Sequence, residues 1–166
     1  KKQNMCGIFG IAIGKNSEIS HYKTKLILRN LTLASQIRGR DATGYTFIGK
    51  DKVGIFKNNI SADKFVKLGN YKKVLSEYLQ RDEMPFSILG HTRHQTKGTH
   101  VNPLNNHPIK TGTIIGVHNG MISNDDELFE NLRGNTGNKR LAQVDSEIIF
   151  KLIDKYSKEH KGMNET

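Results

Sequence analysis

Residues 6–13 read Cys6-Gly7-Ile8-Phe9-Gly10-Ile11-Ala12-Ile13. The run is short and apolar and is closed by Gly14. That is the pattern of a buried strand rather than of an amphipathic helix. Its internal glycines, Gly7 and Gly10, mark places where another backbone or a ligand comes close. The run opens on the only cysteine of the chain. Without a second cysteine there is no internal disulfide framework. Cys6 is therefore either a small core residue or a reactive thiol, and composition does not choose between the two.

Outward from this strand the pattern is mixed. Between Thr24 and Gln36 the residues Ile27, Leu28, Leu31 and Ala34 recur at helical spacing, with Ile37 next in phase, and Gly39 is placed to end the helix. Thr43 to Ile48 and Val53 to Phe56 read as strands of a hairpin turning at Gly49-Lys50-Asp51-Lys52. Ser61 caps a short helix to Leu68, and Tyr71 to Arg81 reads as another. Phe86 to Leu89 is a short apolar run leading into Gly90-His91-Thr92-Arg93. Residues 98–112, rich in Asn, Thr, Gly and Pro, read as loop. Thr113 to Val117 reads as a strand. Ser123 or Asn124 caps an acid-started helix ending near Gly134, and Asp145 begins a last helix. Hairpins interleaved with helices fit an α+β layered fold better than a doubly wound parallel sheet.

The bulk numbers bound the class. The chain has 166 residues, enough for one domain with a real core. No apolar run approaches the ~20 residues of a membrane span, and the polar start Lys1-Lys2-Gln3-Asn4-Met5 is no secretion signal. A cytoplasmic location without membrane contact is the expectation. Net charge is +10, which raises nucleic acid as a partner. The lysines are spread along the chain, however, and aromatic residues make up 7% without interleaving among them. Of the histidines, His91 and His94 lie three apart, with His100, His107 and His118 following. With one cysteine and no His-Glu-x-x-His, that spacing specifies no zinc site, and neither metal nor cofactor is expected.

Several blocks line up in order with one family. They are Met5-Cys6-Gly7-Ile8-Phe9-Gly10, Arg38-Gly39-Arg40-Asp41-Ala42-Thr43-Gly44 and Gly90-His91-Thr92-Arg93-His94-Gln95-Thr96-Lys97-Gly98. Asn105-Asn106-His107-Pro108, Val117-His118-Asn119-Gly120 and Asp145-Ser146-Glu147 complete the set. Together, over residues 6 to about 150, they resemble the glutaminase domain of class II glutamine amidotransferases, within the N-terminal-nucleophile hydrolases. The Gly-His-Thr-Arg wording sits nearer to glucosamine-phosphate synthase and amidophosphoribosyltransferase than to asparagine synthetase.

The resemblance implies a four-layer αββα sandwich. It also implies hydrolysis of the side-chain amide of L-glutamine through a thioester on Cys6. The base would be the α-amino group of the same cysteine, since an α-amino group titrates near ~7.7–8.0. Asn119, by its side-chain amide, and Gly120, by its backbone N–H, would form the oxyanion hole. Arg93 would grip the substrate α-carboxylate with its planar fork, and Asp145 the α-ammonium. Thr96 and His107 would line the pocket, and Arg38 and Asp41 would brace it from behind. Bland readings stand beside these: a core cysteine, an Asn-Gly turn, a structural arginine, and Asp145 as helix N-cap.

The sequence departs from the family pattern in three places. Cys6 follows five residues, so Lys1–Met5 are expected to be a leader or propeptide and 6–166 the glutaminase domain. His94, Gln95 and Lys97 replace a tryptophan, an alanine and a histidine of the sugar-phosphate enzyme. The family's further strands after the acidic block are missing, so either the fold is trimmed or more chain follows Thr166. The ammonia requires an acceptor on a separate synthase domain or subunit, and a nucleotide or nucleic acid is among the open acceptors. A non-catalytic subunit that binds glutamine or a partner is the alternative. A hydrolase of another amide is a further one.

Overall fold

The computed structural model describes residues 5–80, 87–136 and 139–163, with the side chains of 133–136 and 161–163 left aside. The elements run β1 (Gly7–Ala12), α1 (His21–Ser35), β2 (Ala42–Ile48), β3 (Val53–Asn58), α2 (Ala62–Phe65), α3 (Tyr71–Tyr78), β4 (Ser87–Arg93), a 3-10 turn (Pro103–Asn105), β5 (Ile109–Thr111), β6 (Ile114–Gly116), α4 (Asp125–Thr136) and α5 (Glu147–Met163). β1, β4, β2 and β3 form one antiparallel sheet in that order, and β5 and β6 form a two-stranded hairpin. The mixed helix-and-strand class is as the hydrophobic patterning implies. No helix among the described residues is long and apolar enough to cross a membrane.

Side chains alternate across a strand, so the register sorts the sheet into two faces. Phe9, Gly90 and Tyr45 share one row, because Phe9 pairs with Gly90 and Gly90 with Tyr45. Glycine in the middle of that row lets the rings of Phe9 and Tyr45 meet edge to face, with centroids 6.0 Å apart. A Cβ at Gly90 would come within 2.1 Å of the Phe9 ring. This face carries Phe47 and Ile88 as well and packs with Leu28 of α1, Phe65 of α2 and Tyr71 and Leu75 of α3. The Tyr45 hydroxyl is shared with Thr32 Oγ1 at 2.5 Å, so the buried phenol keeps a polar partner.

The opposite face carries Gly44, His91 and Arg93, and here the loop after β4 returns over the sheet. α5 packs on β5 and β6 and against α4. Phe129 and Leu132 of α4 meet Ile148 of α5 in a separate small core.

Several sequence expectations are corrected. The apolar run before Gly90 is one end of a longer strand, because Gly90, His91 and Thr92 are laddered on both sides by β1 and β2, and Arg93 by β2 (Phe86 and Arg81 lie outside the described residues). α1 starts earlier, at His21, where Ser20 Oγ accepts from the Lys23 N–H at 3.2 Å. Gly39 does not end α1, which stops at Ser35. It is needed elsewhere, since a Cβ there would sit 2.3 Å from the Arg93 carbonyl carbon. The loop at 98–112 contains the 3-10 turn and β5. α5 begins at Glu147, and the Asp145 side chain does not cap it, because it accepts from the Ile122 N–H instead.

Leu28 is fully buried at the centre of the helix-facing core, whereas Leu26 on the same helix is 45% exposed. Leu28→Ala is expected to cost ~2–5 kcal/mol in urea unfolding and Leu26→Ala less than ~1 kcal/mol.

Candidate active site

Cys6 sits one residue before β1, and Gly7 pairs with Thr92, so the cysteine comes alongside the chain just past β4. Its Sγ accepts from the His94 N–H at 3.3 Å and lies 3.4 Å from the His94 carbonyl oxygen. The peptide group of His94 is thus the thiol's immediate polar neighbour, a contact no sequence motif singles out. Asp41 holds that segment. Its N–H donates to the Arg93 carbonyl at 3.0 Å and its Oδ2 accepts from the Gln95 N–H at 2.7 Å. Arg38, exposed at the mouth of the site, donates from Nε to the Cys6 carbonyl at 3.3 Å. Cys6, Arg38 and Asn119 line one cleft of about 450 Å³, whose apolar wall includes Ile8, Leu31 and Ile37. Ile37 is 70% exposed, outside the helix that its spacing suggested.

Burial pushes the Cys6 thiol above its ordinary range, and the carboxylates of Asp41 and Asp145 push the same way. The His94 N–H and the Arg93 guanidinium oppose them. In this setting the proton stays on sulfur at neutral pH unless a base removes it. The nitrogen of Cys6 is in peptide linkage to Met5 in this sequence, and an amide nitrogen is no base.

Arg93 is only 2% exposed. Its Nη2 donates to the carbonyls of Lys97 and Gly98 at 2.8 and 2.5 Å, and its Nη1 to Asn106 Oδ1 at 2.8 Å. Gly98 has φ +77°, a left-handed turn that helps aim its carbonyl inward. Among the described residues no carboxylate forms an ion pair with Arg93. Asp145, 1% exposed, is the opposite case. Its Oδ2 accepts from the Ile122 N–H at 2.7 Å, and among the described residues no cation pairs with it. Both charges are close enough to influence Cys6, and the Asp145 carboxylate acts on Arg93 as well.

The remaining expected residues are placed less uniformly. Asn119 is half-buried in the cleft and Gly120 is exposed beside it. Thr96 is exposed and makes no hydrogen bond among the described residues. His107 is 4% exposed, so it packs behind the pocket rather than lining it openly. Its ring stacks on His91 at 4.2 Å with both nitrogens unpartnered, while His91 Nε2 meets the His118 carbonyl at 3.1 Å. Burial drives His91 down to about 3 and His107 well below its usual value. Both rings are therefore neutral in the folded chain.

Residues with no assigned role in the sequence build the surroundings. Asn105 Nδ2 donates to the Thr99 carbonyl and to Gln143 Oε1, while its Oδ1 accepts from the Gln143 N–H. Lys97 bonds both oxygens of Asp125 at 2.7 Å, and Arg140 joins Asp125 and Asp126 from the other side. That ionic cluster ties the loop after β4 to the start of α4.

No family model matches the chain. Over 162 residues it is 31% identical to the glutamine–fructose-6-phosphate aminotransferase of Sulfolobus acidocaldarius, a match covering 96% of this chain and 25% of that protein. The enzyme of the same name from Pyrococcus horikoshii is 33% identical over 154 residues, covering 90% of this chain and 22% of that protein. That of Agrobacterium fabrum is 32% identical over 165 residues, covering 97% and 24%. The chain thus spans about a quarter of the length of these curated relatives.

Two outcomes are expected from the electrostatics. Alkylation of Cys6 by iodoacetamide should still be accelerating above pH ~9, and Arg93→Met should move the profile further up, because the guanidinium lowers the thiol's titration. The buried imidazoles titrate lower in the folded than in the unfolded chain. The unfolded chain therefore binds more protons below pH ~6.5, and stability is lost as pH falls from there toward about 3. Urea midpoints at pH 7 and pH 5 should differ accordingly, and His107→Gln should make that dependence shallower.

Proposed function

Because this chain is homologous over nearly its whole length to class II glutamine amidotransferases, represented by the glutamine–fructose-6-phosphate aminotransferases, we propose that it hydrolyses the side-chain amide of L-glutamine at Cys6. One observation carries the reading. A buried guanidinium, Arg93, and a buried carboxylate, Asp145, lie by the thiol, and among the described residues neither has a counter-ion of its own. Unpaired buried charges are costly. An α-amino acid carries the two complements, a carboxylate for Arg93 and an ammonium for Asp145, and would relieve both at once.

Bound so, glutamine presents its amide carbon to Cys6. Sulfur attacks as thiolate, the carbonyl electrons move to oxygen, and the Asn119 side-chain amide and Gly120 N–H donate to that oxyanion. Collapse expels ammonia once it takes a proton, leaving a γ-glutamyl thioester. Water then attacks the thioester and releases glutamate. The proton carrier is the α-amino group of Cys6, which cleavage of the Met5–Cys6 bond would free and which suits neutral pH. Arg38 and Asp41 serve as supports, the first on the Cys6 carbonyl and the second on the segment at His94. Thr96 and His107 belong to the pocket wall and its backing.

The order of helices, four-stranded sheet, β5–β6 hairpin and α5 supports the four-layer sandwich that the resemblance implies. The ammonia is passed to a synthase domain or partner. The relatives' names point to fructose 6-phosphate as acceptor, so a sugar phosphate is the proposed class. Nothing in the comparisons favours a nucleotide or nucleic acid.

The test is turnover. A chain beginning at Cys6 should convert glutamine to glutamate and ammonia, and the chain with Lys1–Met5 attached should not. Cys6→Ala should abolish the reaction, and Asn119→Ala should slow it ~10²–10³-fold. Undiminished turnover by Cys6→Ala would sink the assignment. A second reading, glutamine binding without chemistry, draws on the acylated nitrogen and the proton-retaining thiol of Cys6. Saturable glutamine binding with no glutamate formed, even from a chain starting at Cys6, would favour it.

A further inference from the structure

Lys57 lies on β3, directly opposite Gly44 of β2. The missing side chain of Gly44 leaves a groove across the sheet. A Cβ there would meet the His107 carbonyl at 2.3 Å, the Lys57 Cβ at 2.6 Å and Pro108 Cδ at 3.1 Å. The backbone at 106–108 occupies that groove, and Lys57 closes over it. Its Nζ donates to the Asn106 carbonyl at 2.6 Å and to the Pro108 carbonyl at 2.9 Å.

The clamp leads straight to the guanidinium. Asn106, 1% exposed, accepts from Arg93 Nη1 on Oδ1 at 2.8 Å and donates from Nδ2 to the His100 carbonyl at 2.7 Å. One ammonium therefore fixes the backbone of the residue whose side chain orients Arg93. Lys57 itself touches neither the cleft nor Cys6. It is bound by carbonyls alone, and among the described residues no carboxylate pairs with it.

The charged and titratable groups around it explain why it stays unpaired. His107 packs next to it and is neutral. Lys110 of β5 and Glu147 of α5 share with it a small cavity of about 120 Å³. The Glu147 carboxylate is already occupied by the N–H groups of Leu141 and Ala142 and by Lys151. Burial without a counter-ion lowers Lys57 to about 8. Its proton, which makes both carbonyl bonds charge-assisted, is thus held at neutral pH and lost in mildly alkaline solution.

We propose that Lys57 is a positioning residue for substrate binding: through the Asn106 and Pro108 carbonyls it sets the orientation in which Arg93 receives the substrate α-carboxylate. The inference rests on the glutamine reading above. It assigns Lys57 to affinity, because the Lys57–Asn106–Arg93 chain ends on the amino-acid grip and not on the thiol.

The test is calorimetric binding of L-glutamine to the full 166-residue chain between pH 7 and pH 9. Lys57→Met should weaken binding roughly tenfold at pH 7, the scale of one lost charge-assisted hydrogen bond. Lys57→Arg keeps a cation that does not titrate in this range. It should bind near the unsubstituted level at pH 7 and lose less affinity than the unsubstituted chain on going to pH 9. The comparison cancels the titration of glutamine's own ammonium, which all variants share. A merely structural lysine would lower the urea midpoint of Lys57→Met without giving the Arg variant its flatter pH profile. Equal affinity in all three proteins, or parallel pH profiles for Lys and Arg, overturns the role of Lys57 alone. Absence of glutamine binding by the unsubstituted chain overturns this inference, and its absence also from a chain that begins at residue 6 with Cys6→Ala overturns the glutamine reading with it.

Discussion

A guanidinium can be buried at 2% exposure only if oxygens are brought to it, and the chain around Arg93 is arranged to bring them. Its place at the end of β4 is set by pairing with Ala42 of β2 and by the two-sided ladder of the residues before it, so the donors cannot move far to find partners. The partners must come to the strand. The loop that follows turns back on itself, with Gly98 in a left-handed conformation, and delivers two carbonyls within a few residues of the arginine. The third acceptor, on Asn106, arrives from further along the same loop. Two bonds between Asn105 and Gln143 fasten that loop to the segment before α5. None of these oxygens is a carboxylate, so the cation is solvated by the protein without being neutralised.

That distinction connects fold to chemistry. Neutral acceptors hold the guanidinium in place and leave its charge available to an anion. Asp145 is treated in the mirror sense, held by a backbone N–H and left without a cation among the described residues. The elements that supply these partners belong to the smaller side of the molecule, where β5, β6, α4 and α5 pack. Its apolar clusters are modest beside the aromatic core under α1, α2 and α3. The larger core anchors β1 and β4, and through them Cys6 and Arg93. The polar bonding of the loops then sets the finer geometry. Rigid strands carrying the reactive groups, with loops completing the site, is a division of labour common in enzymes.

Much of this was legible in the chain itself. The short apolar run of β1, the strand-forming residues of β2 and the helical spacing on α1 announced these elements and their type. The motif blocks named Cys6, Arg93, Asn119 and Asp145 as residues to bring together. Their boundaries were read less well. Gly90 to Arg93 is polar and glycine-containing, so nothing in its composition says strand, yet cross-strand pairing to β1 and β2 makes it the centre of the sheet. Asp145 has the chemistry of a helix cap, and only the approach of Ile122 from a different segment gives its carboxylate another partner.

What the sequence determined by itself was the kind of molecule: an α+β domain with one thiol at the head of an apolar strand, which the fold places at the sheet edge with one face open, and a set of polar residues whose order resembles a glutaminase. What only the tertiary structure decided was which charges remain uncompensated. Arginine, aspartate and lysine look alike in a sequence whether they sit in ion pairs or not. Arg93, Asp145 and Lys57 are bound by neutral groups, mostly of the backbone, whereas Lys97, Asp125 and Arg140 neutralise one another. The partners of Asp145 and Lys57 lie more than twenty residues away, and those of Arg93 arrive by a loop that turns back, so their meeting depends on how loops close over a sheet. Local spacing carries no record of that closure.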